Sequence, residues 1–360
     1  MLNIDWFQPF KHHTYSIGVV YLAIMNLPRA VRFKRENIIV VALIPGPTEP
    51  SKNINTYLNP LVSELRTLWN GVSFDTCDCG TQMIHCALLC IGCDLPAGRK
   101  VCGFLSYSAN LGCSRCYCNF GTGVFGKHNY SGFDRANWII RTNLKHRDDV
   151  ESIVTCSSNS AQQQKESELG CHYSSLLKLP YFDPVRMLTI DPMHNLYLGT
   201  AKYIFTNIWI KKGLIMNTLL INERISSLVV PPEVRFSRLP AQMEHSSSLT
   251  AEQWMLWVNY YSLYCLYQIL PREHLEHWRH FVLASRLLCT RQLSKDEVRI
   301  ADALLLQFCR RFEVLYGPED VTLIFICMLI GLTALKIMDH VTLLALFFWM
   351  FEWCFGRWVN

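Results

Sequence analysis

The stretch IHCALLCIGCDLPA, residues 84–97, is an apolar run that stops on a carboxylate, Asp94. Such a run suits a buried strand, yet an unpaired charge at its end is costly to bury. Its neighbours supply a reason. NIDWF (3–7) is strand-like, and YSIGVVYLAIM (15–25) is rich in β-branched and aromatic residues. A basic turn, NLPRAVRFKREN, leads into IIVVALI (38–44), which Pro-Gly-Pro closes. NTYLNPLVSELRTLWNG (55–71) spaces Leu58, Leu61, Leu65 and Leu68 at helical intervals and ends on Gly71. The predicted order is β-β-β-α-β, with Asp5 on the first strand and Asp94 at the end of the fourth.

A three-stranded meander, a helix, and a strand laid beside the first make up the ribonuclease-H-like arrangement. The predicted fold class is therefore α/β, with such a core followed by a largely α-helical region. This order brings Asp5 and Asp94 to neighbouring strand positions, where two carboxylates repel unless a divalent cation lies between them. Mg2+ or Mn2+, hard ions that take oxygen ligands, suit that pair. With two ions, one activates the attacking water or hydroxyl and the other stabilises the leaving oxygen. Without the strand order, an aspartate after a strand is ordinarily a turn residue or a helix cap.

Composition sets bounds. A chain of 360 residues with 50% hydrophobic and 18% charged residues can build one large domain with an insertion, or two domains. A net charge of +5 excludes a global polycation, so any nucleic-acid surface must be local. The start, MLNIDWFQPFKHH, has no apolar core of the kind a signal peptide carries. Sixteen cysteines, several inside apolar segments (Cys86, Cys90, Cys289), read as reduced thiols in a reducing compartment.

Beyond Asp94, Cys113-Ser-Arg-Cys116 is a C-x-x-C knuckle in a Gly-rich turn. It is half of a zinc site, with Cys118 as a spare thiol, and buried thiols without metal are the alternative. GFDRANWIIRTNLKHRDDVESI reads as a cationic helix with Arg135, Arg141, Lys145 and Arg147; a solvated face is its default, phosphate contact the functional alternative. SSNSAQQQKESELG (157–170) is polar and reads as a linker between a core of residues 1–156 and a helical region of 171–322. In LTIDPMHNLYLG, Asp191 and His194 lie three apart, on one face if helical. They read either as functional groups or as a cap and a buried histidine. Three helices follow. Thr250 with Gln253 and Ser294 with Glu297 form capping boxes for two of them, and Pro271 opens the other.

The blocks NIDWFQPF, IIVVALIPGPTEP, INTYLNPLVSELRTLWNG, CDLPAGRKVCGF, GCSRC and LTIDPMHNLYLG together resemble the Tnp2-like transposases of CACTA-type DNA transposons, over roughly residues 1–322. The resemblance implies a DDE-type recombinase with a ribonuclease-H-like core. Such an enzyme would use two divalent metals to cut transposon ends and join them to target DNA in the nucleus, with self-association open. It implies that Asp5 is the first catalytic aspartate and Asp94 the second; a rival assignment gives the second role to Asp191. The nineteen residues from Asp94 to Cys113 are similar to the gap before the zinc-binding C-x-x-C of the related V(D)J recombinase catalytic subunit. That supports Cys113 and Cys116 as zinc ligands. Asp191 and His194 match the family's D-x-M-H block. Because Asp5 stands so near the start, upstream DNA-binding modules are expected to be missing.

The tail departs from this pattern. LIFICMLIGLTAL (323–335) and VTLLALFFWMFEWCF (341–355) are apolar, but each is shorter than the roughly 20 residues a bilayer span needs. Lys336, Asp339 and His340 lie between them. A C-terminal membrane anchor is thus the disfavoured reading. The resemblance implies a His-rich segment here and then Phe-Glu-Arg-x-Asn-Gly, which would bring the third carboxylate; neither is present. Residues 323–330 can be encoded so that an adjacent frame reads Pro-Asn-Ile-His-Met-His-Ala-His. Residues 344–356 can be encoded so that the next frame contains Phe-Gly-Cys-Leu-Asn-Gly. The tail from about residue 323 is therefore expected to be out of frame, as in a decayed element. Glu352 lies close to the third carboxylate's expected position without its motif. A catalytically impaired remnant, or a non-enzymatic DNA-binding protein on the same fold, is the expectation.

Overall fold

The computed structural model describes residues 1–50, 53–121, 128–231, 243–290 and 293–337. They form two compact units. One is Met1–Gly121 with Asn137–Ile190; the other holds the described parts of 122–136 and of the chain from Asp191 onward.

In the first unit, β1 (Leu2–Phe7), β2 (Ile17–Ala23) and β3 (Ile38–Ile44) form an antiparallel meander, as their β-branched composition predicts. On β1, Leu2, Asn3 and Ile4 are buried while Asp5 and Phe7 are exposed. Trp6 pairs with Gly18, where an added Cβ would lie 2.5 Å from the indole ring, so only glycine fits under it. Helix α1 (Ile54–Asn70) buries Ile54, Leu58, Val62 and Leu65 against Leu2, Ile4, Val20 and Ile44, and stops at Gly71 with φ of 100°.

The hydrogen bonding continues past β1. Leu2 N donates to Cys90 O at 3.0 Å and Gly92 N to Leu2 O at 2.8 Å, making a parallel bridge between Leu2 and Ile91. Ile91 in turn bridges Leu188 in parallel, through Ile91 N to Met187 O (2.8 Å) and Thr189 N to Ile91 O (3.0 Å).

The fourth strand predicted over 84–93 is thus reduced to a bridge at Ile91. A hairpin intervenes, β4 (Val72–Thr76) with β5 (Gly80–Ile84), which forms its own sheet. It takes Ile84, and Cys86, Ala87 and Leu89 are exposed, so that Cys90–Cys93 are left to run beside β1. Helix α2 (Leu95–Cys102) begins directly after Asp94.

Two more expectations change. Residues 157–170 are no linker: α4 (Asn159–Leu169) follows α3 (Asn143–Val154), and the two units divide after Ile190. Gln, Glu and Lys favour helix even without an apolar stripe. Ser158 caps its start by accepting from Ala161 N at 3.2 Å, and Gly170 at φ of 69° ends it. Nor does one cationic helix span Arg135 to Arg147, because α3 begins only at Asn143, behind its Thr142 cap.

The second unit is helical among its described residues. The wide-turned stretches Met193–Ala201 and Ile204–Ile210 precede α5 (Leu219–Ser227). The helix predicted from Thr250 breaks into Ala251–Leu256, a wide turn Trp257–Tyr261, and Ser262–Leu266. Then come α6 (Arg272–Leu288), α7 (Lys295–Tyr316) and α8 (Leu323–Ile337). Both capping boxes form. Trp209, Trp254, Trp257 and Trp278 are fully buried in this unit.

Phe325 to Ile330 of α8 are buried, and the Phe325 ring lies 4.7 Å from that of Phe312. The apolarity of the first part of the tail is therefore taken up by packing. Among the described residues no helix is long and apolar enough to cross a membrane. Asp339, His340 and Glu352 lie outside the described residues.

Candidate functional site

If the Leu2–Ile91 parallel register were carried forward, Ile4 would fall opposite Cys93 and Asp5 opposite Asp94. The backbone pairing itself is an isolated bridge, and side chains make the next contacts. Asn3 Nδ2 donates to Gly92 O, and Ile4 N donates to Cys93 Sγ at 3.1 Å. Leu2, Ile4, Ile91 and Cys93 are all buried. Burial raises the Cys93 thiol pKa above its usual range, and the charges of Asp94 and then Asp5 push it the same way, so both carboxylates act on one sulfur. Asp5 is exposed and Asp94 half-buried.

Asp94 also has a structural task. As the N-cap of α2 it accepts from Ala97 N at 2.8 Å through Oδ1. This is the bland role expected of an aspartate after a strand. One carboxylate oxygen is committed to the cap, and a metal ligand would use the other.

The knuckle is buried: Cys113 and Cys116 are 2% and 0% exposed, and Cys118 is half-buried. A hydrogen bond from Cys116 draws the Cys113 thiol down to about 6, helped by the backbone N–H of Arg115 at 3.4 Å and by the nearby Arg99 charge. Cys118 is lowered by its own hydrogen bond with Cys116, whose thiol is correspondingly raised. No disulfide joins the described cysteines.

Arg141 braces this loop, a role that its sequence neighbours do not signal. It is 1% exposed, and its Nε donates to Cys113 O at 3.1 Å and Cys116 O at 3.3 Å. Both terminal nitrogens reach Leu169 O at 3.1 Å, and the guanidinium lies 4.1 Å from the Tyr117 ring centroid.

The remaining cations of the expected phosphate-binding helix have partners inside the protein. Arg135 makes a two-pronged pair with Asp302, at 2.6 and 2.7 Å, and Lys145 pairs with Asp149 at 2.6 Å. Arg147 donates to the carbonyls of Leu177, Leu179 and Phe182. They act as structural ties.

Asp191 stands three residues past Leu188, the spacing at which Asp5 follows Leu2 and Asp94 follows Ile91. It opens the second unit, fully buried, where Oδ1 accepts from Met193 N at 2.6 Å and Oδ2 pairs with Nδ1 of His194. Asp191 thus caps the Met193–Ala201 stretch and orients an imidazole that keeps 43% of its side-chain surface exposed. His194 is not the buried histidine that one reading anticipated.

The donor sets fit the metals in part. Asp5 and Asp94, if brought opposite each other, would be the residues to offer oxygens to Mg2+ or Mn2+. The C-x-x-C knuckle offers two thiols of the four ligands of a structural zinc site. Among the described residues no group of three or more His, Cys, Asp or Glu is disposed to hold a metal.

Residues 1–153 match the description transposase family tnp2. The similarity covers the region that holds Asp5, Asp94 and the knuckle. No curated protein matches the chain.

Proposed function

We propose that this chain derives from a cut-and-paste DNA transposase. In this reading Asp5 and Asp94 bind divalent metal at the edge of a ribonuclease-H-like core and act on DNA, the nucleus being the place of action. The supporting observation is the parallel Leu2–Ile91 bridge, whose continuation would bring Asp5 opposite Asp94. The meander, the α1 crossover and the successive bridges to Ile91 and Leu188 follow the strand order of such a core. The tnp2 match over residues 1–153 supports DNA as the partner in this reading.

Bound Mg2+ or Mn2+ would supply Lewis-acid stabilisation of phosphate charge and an activated water or hydroxyl. The chain's own residues set the geometry. The β1 ladder fixes the Asp5 backbone, and the α2 cap fixes the rotamer of Asp94, leaving one Asp94 oxygen for the ion. Cys113 and Cys116 would bind zinc as a structural half-site, with Arg141 bracing their carbonyls.

Strand transfer needs a third carboxylate to hold both ions, and residues 323–360 contain no Phe-Glu-Arg block. We therefore read the chain as catalytically impaired, with its tail out of frame. The test compares metal-dependent nicking of transposon-end DNA by this chain and by one whose tail is restored to Phe-Glu-Arg. Weak nicking that rises on restoration supports the reading, and equal activity of the two contradicts it. DNA retained by the chain with no nicking by either would instead favour a non-enzymatic DNA-binding role, for which the incomplete carboxylate set is the argument.

A further inference from the structure

The loop joining β1 to β2, residues 8–16, leaves its strand two residues past Asp5. Its base is anchored. Ser16 N donates to Pro47 O at 2.9 Å, and Tyr15 packs so tightly on Gly46 that a Cβ there would lie 2.8 Å from its ring. Its tip is not buried: Pro9, Phe10, Lys11, His12 and His13 are all exposed. Phe10 keeps 54% of its surface in solvent and meets Tyr15 edge-on, with ring centroids 5.8 Å apart at 71°. Phe7, at the end of β1, is 45% exposed.

An exposed phenyl beside a run of cationic and imidazole side chains contributes little to the core. It matches a partner that is flat and apolar yet flanked by negative charge. An unpaired nucleobase with its phosphates has that chemistry. A base inside an intact duplex does not, because both of its faces are already stacked.

We propose that the β1–β2 loop grips a single DNA strand beside Asp5 and Asp94, Phe10 stacking on an unpaired base and Lys11 neutralising a phosphate. This rests on the DNA-binding part of the function proposed above and needs no cleavage. The reach is suitable. Five residues from Asp5 to Phe10 span at most roughly 18 Å, about five nucleotides at duplex rise. Phe10 would thus hold a frayed strand end within a few nucleotides of the carboxylates.

The experiment measures binding of the full chain, in EDTA, to a labelled single strand of roughly 12 nucleotides and to the matching blunt duplex. Wild type should prefer the single strand. Phe10→Ala should weaken single-strand binding about ten-fold and abolish the preference, leaving the salt slope unchanged. Lys11→Gln should lower the slope of log affinity against log salt by about 0.7. Both side chains are exposed, so melting curves should match wild type. An unaltered preference in Phe10→Ala overturns the proposal. So does tighter, Phe10-dependent binding to phosphatidylserine vesicles than to DNA. Because nicking is not read here, loss of the loop's role and loss of the metal reading register in different assays.

Discussion

Replacing Arg141 by methionine should unfasten the cysteine knuckle. The substitution keeps an unbranched apolar stem but removes the donors that serve three carbonyls, those of Cys113, Cys116 and Leu169. Each buried carbonyl left without a donor costs about 1–3 kcal/mol, and loss of the 4.1 Å contact with Tyr117 adds about 0.5–2 kcal/mol. Local relaxation and water recover part of this, so a net loss of roughly 3–5 kcal/mol is expected, the range seen when one member of a buried charged network is removed. Arg141→Lys should recover less than half, because a point charge cannot serve three acceptors in the plane of a fork. Two units preclude a single two-state analysis, so the assay should be local: thiol alkylation read by mass spectrometry through a urea titration. Cys113 and Cys116, at 2% and 0% exposure, should resist labelling in wild type and react at distinctly lower urea in Arg141→Met. Equal protection in both proteins, within about 1 kcal/mol, would refute the bracing role.

Gly18→Ala should cost about 1–3 kcal/mol by overpacking, because its Cβ would lie 2.5 Å from the Trp6 ring. Trp6→Leu should rescue part of that loss in a double-mutant cycle, and urea melts in which Gly18→Ala matches wild type would contradict the packing. Acid should also destabilise the fold. Burial lowers His146 to about 4 and His277 to about 3, and neither ring nitrogen of His146 has a hydrogen-bond partner. Both folded values lie below the ordinary 6.5, so the neutral forms are favoured and the contribution is complete above that pH. It is lost as pH falls from 6.5 toward 4 and 3, by on the order of 3 kcal/mol for His146 alone. Stability measured by urea unfolding at successive pH values should fall across that window and flatten in His146→Leu; a wild-type profile flat from pH 6.5 to 4 would exclude this.

Strands with uniform composition were legible. IIVVALI forms β3 over its whole length, and both capping boxes begin helices where Thr250 and Ser294 predict them. Residues 84–93 were not, because a short apolar run does not reveal which of its residues pair. The hairpin is signalled by Gly80 and a period-two pattern, but its exposed Phe74 and Met83 blur the burial contrast that would mark it. The helix at Asn159–Leu169 was hidden for the opposite reason, since a polar helix has no apolar stripe and only its Ser158 cap and Gly170 stop announce it. At the site, the approach of residues 90–92 to β1 could be anticipated from strand order. The service of Arg141 to three carbonyls could not, because side chain–backbone bonds across 25 and 28 residues leave no periodic trace.

The most direct measurement is Mn2+ binding to the full chain, titrated by electron paramagnetic resonance, in wild type, Asp5→Asn, Asp94→Asn and Glu49→Gln. Asparagine caps a helix as well as aspartate does, so Asp94→Asn keeps the bond from Ala97 N and removes only the charge. Glu49, held 2.6 Å from Lys100, serves as the carboxylate control. Each aspartate substitution is expected to weaken Mn2+ at least ten-fold, with wild-type affinity in Glu49→Gln. Full-strength Mn2+ binding by both asparagine variants would mean that Asp5 and Asp94 do not share an ion.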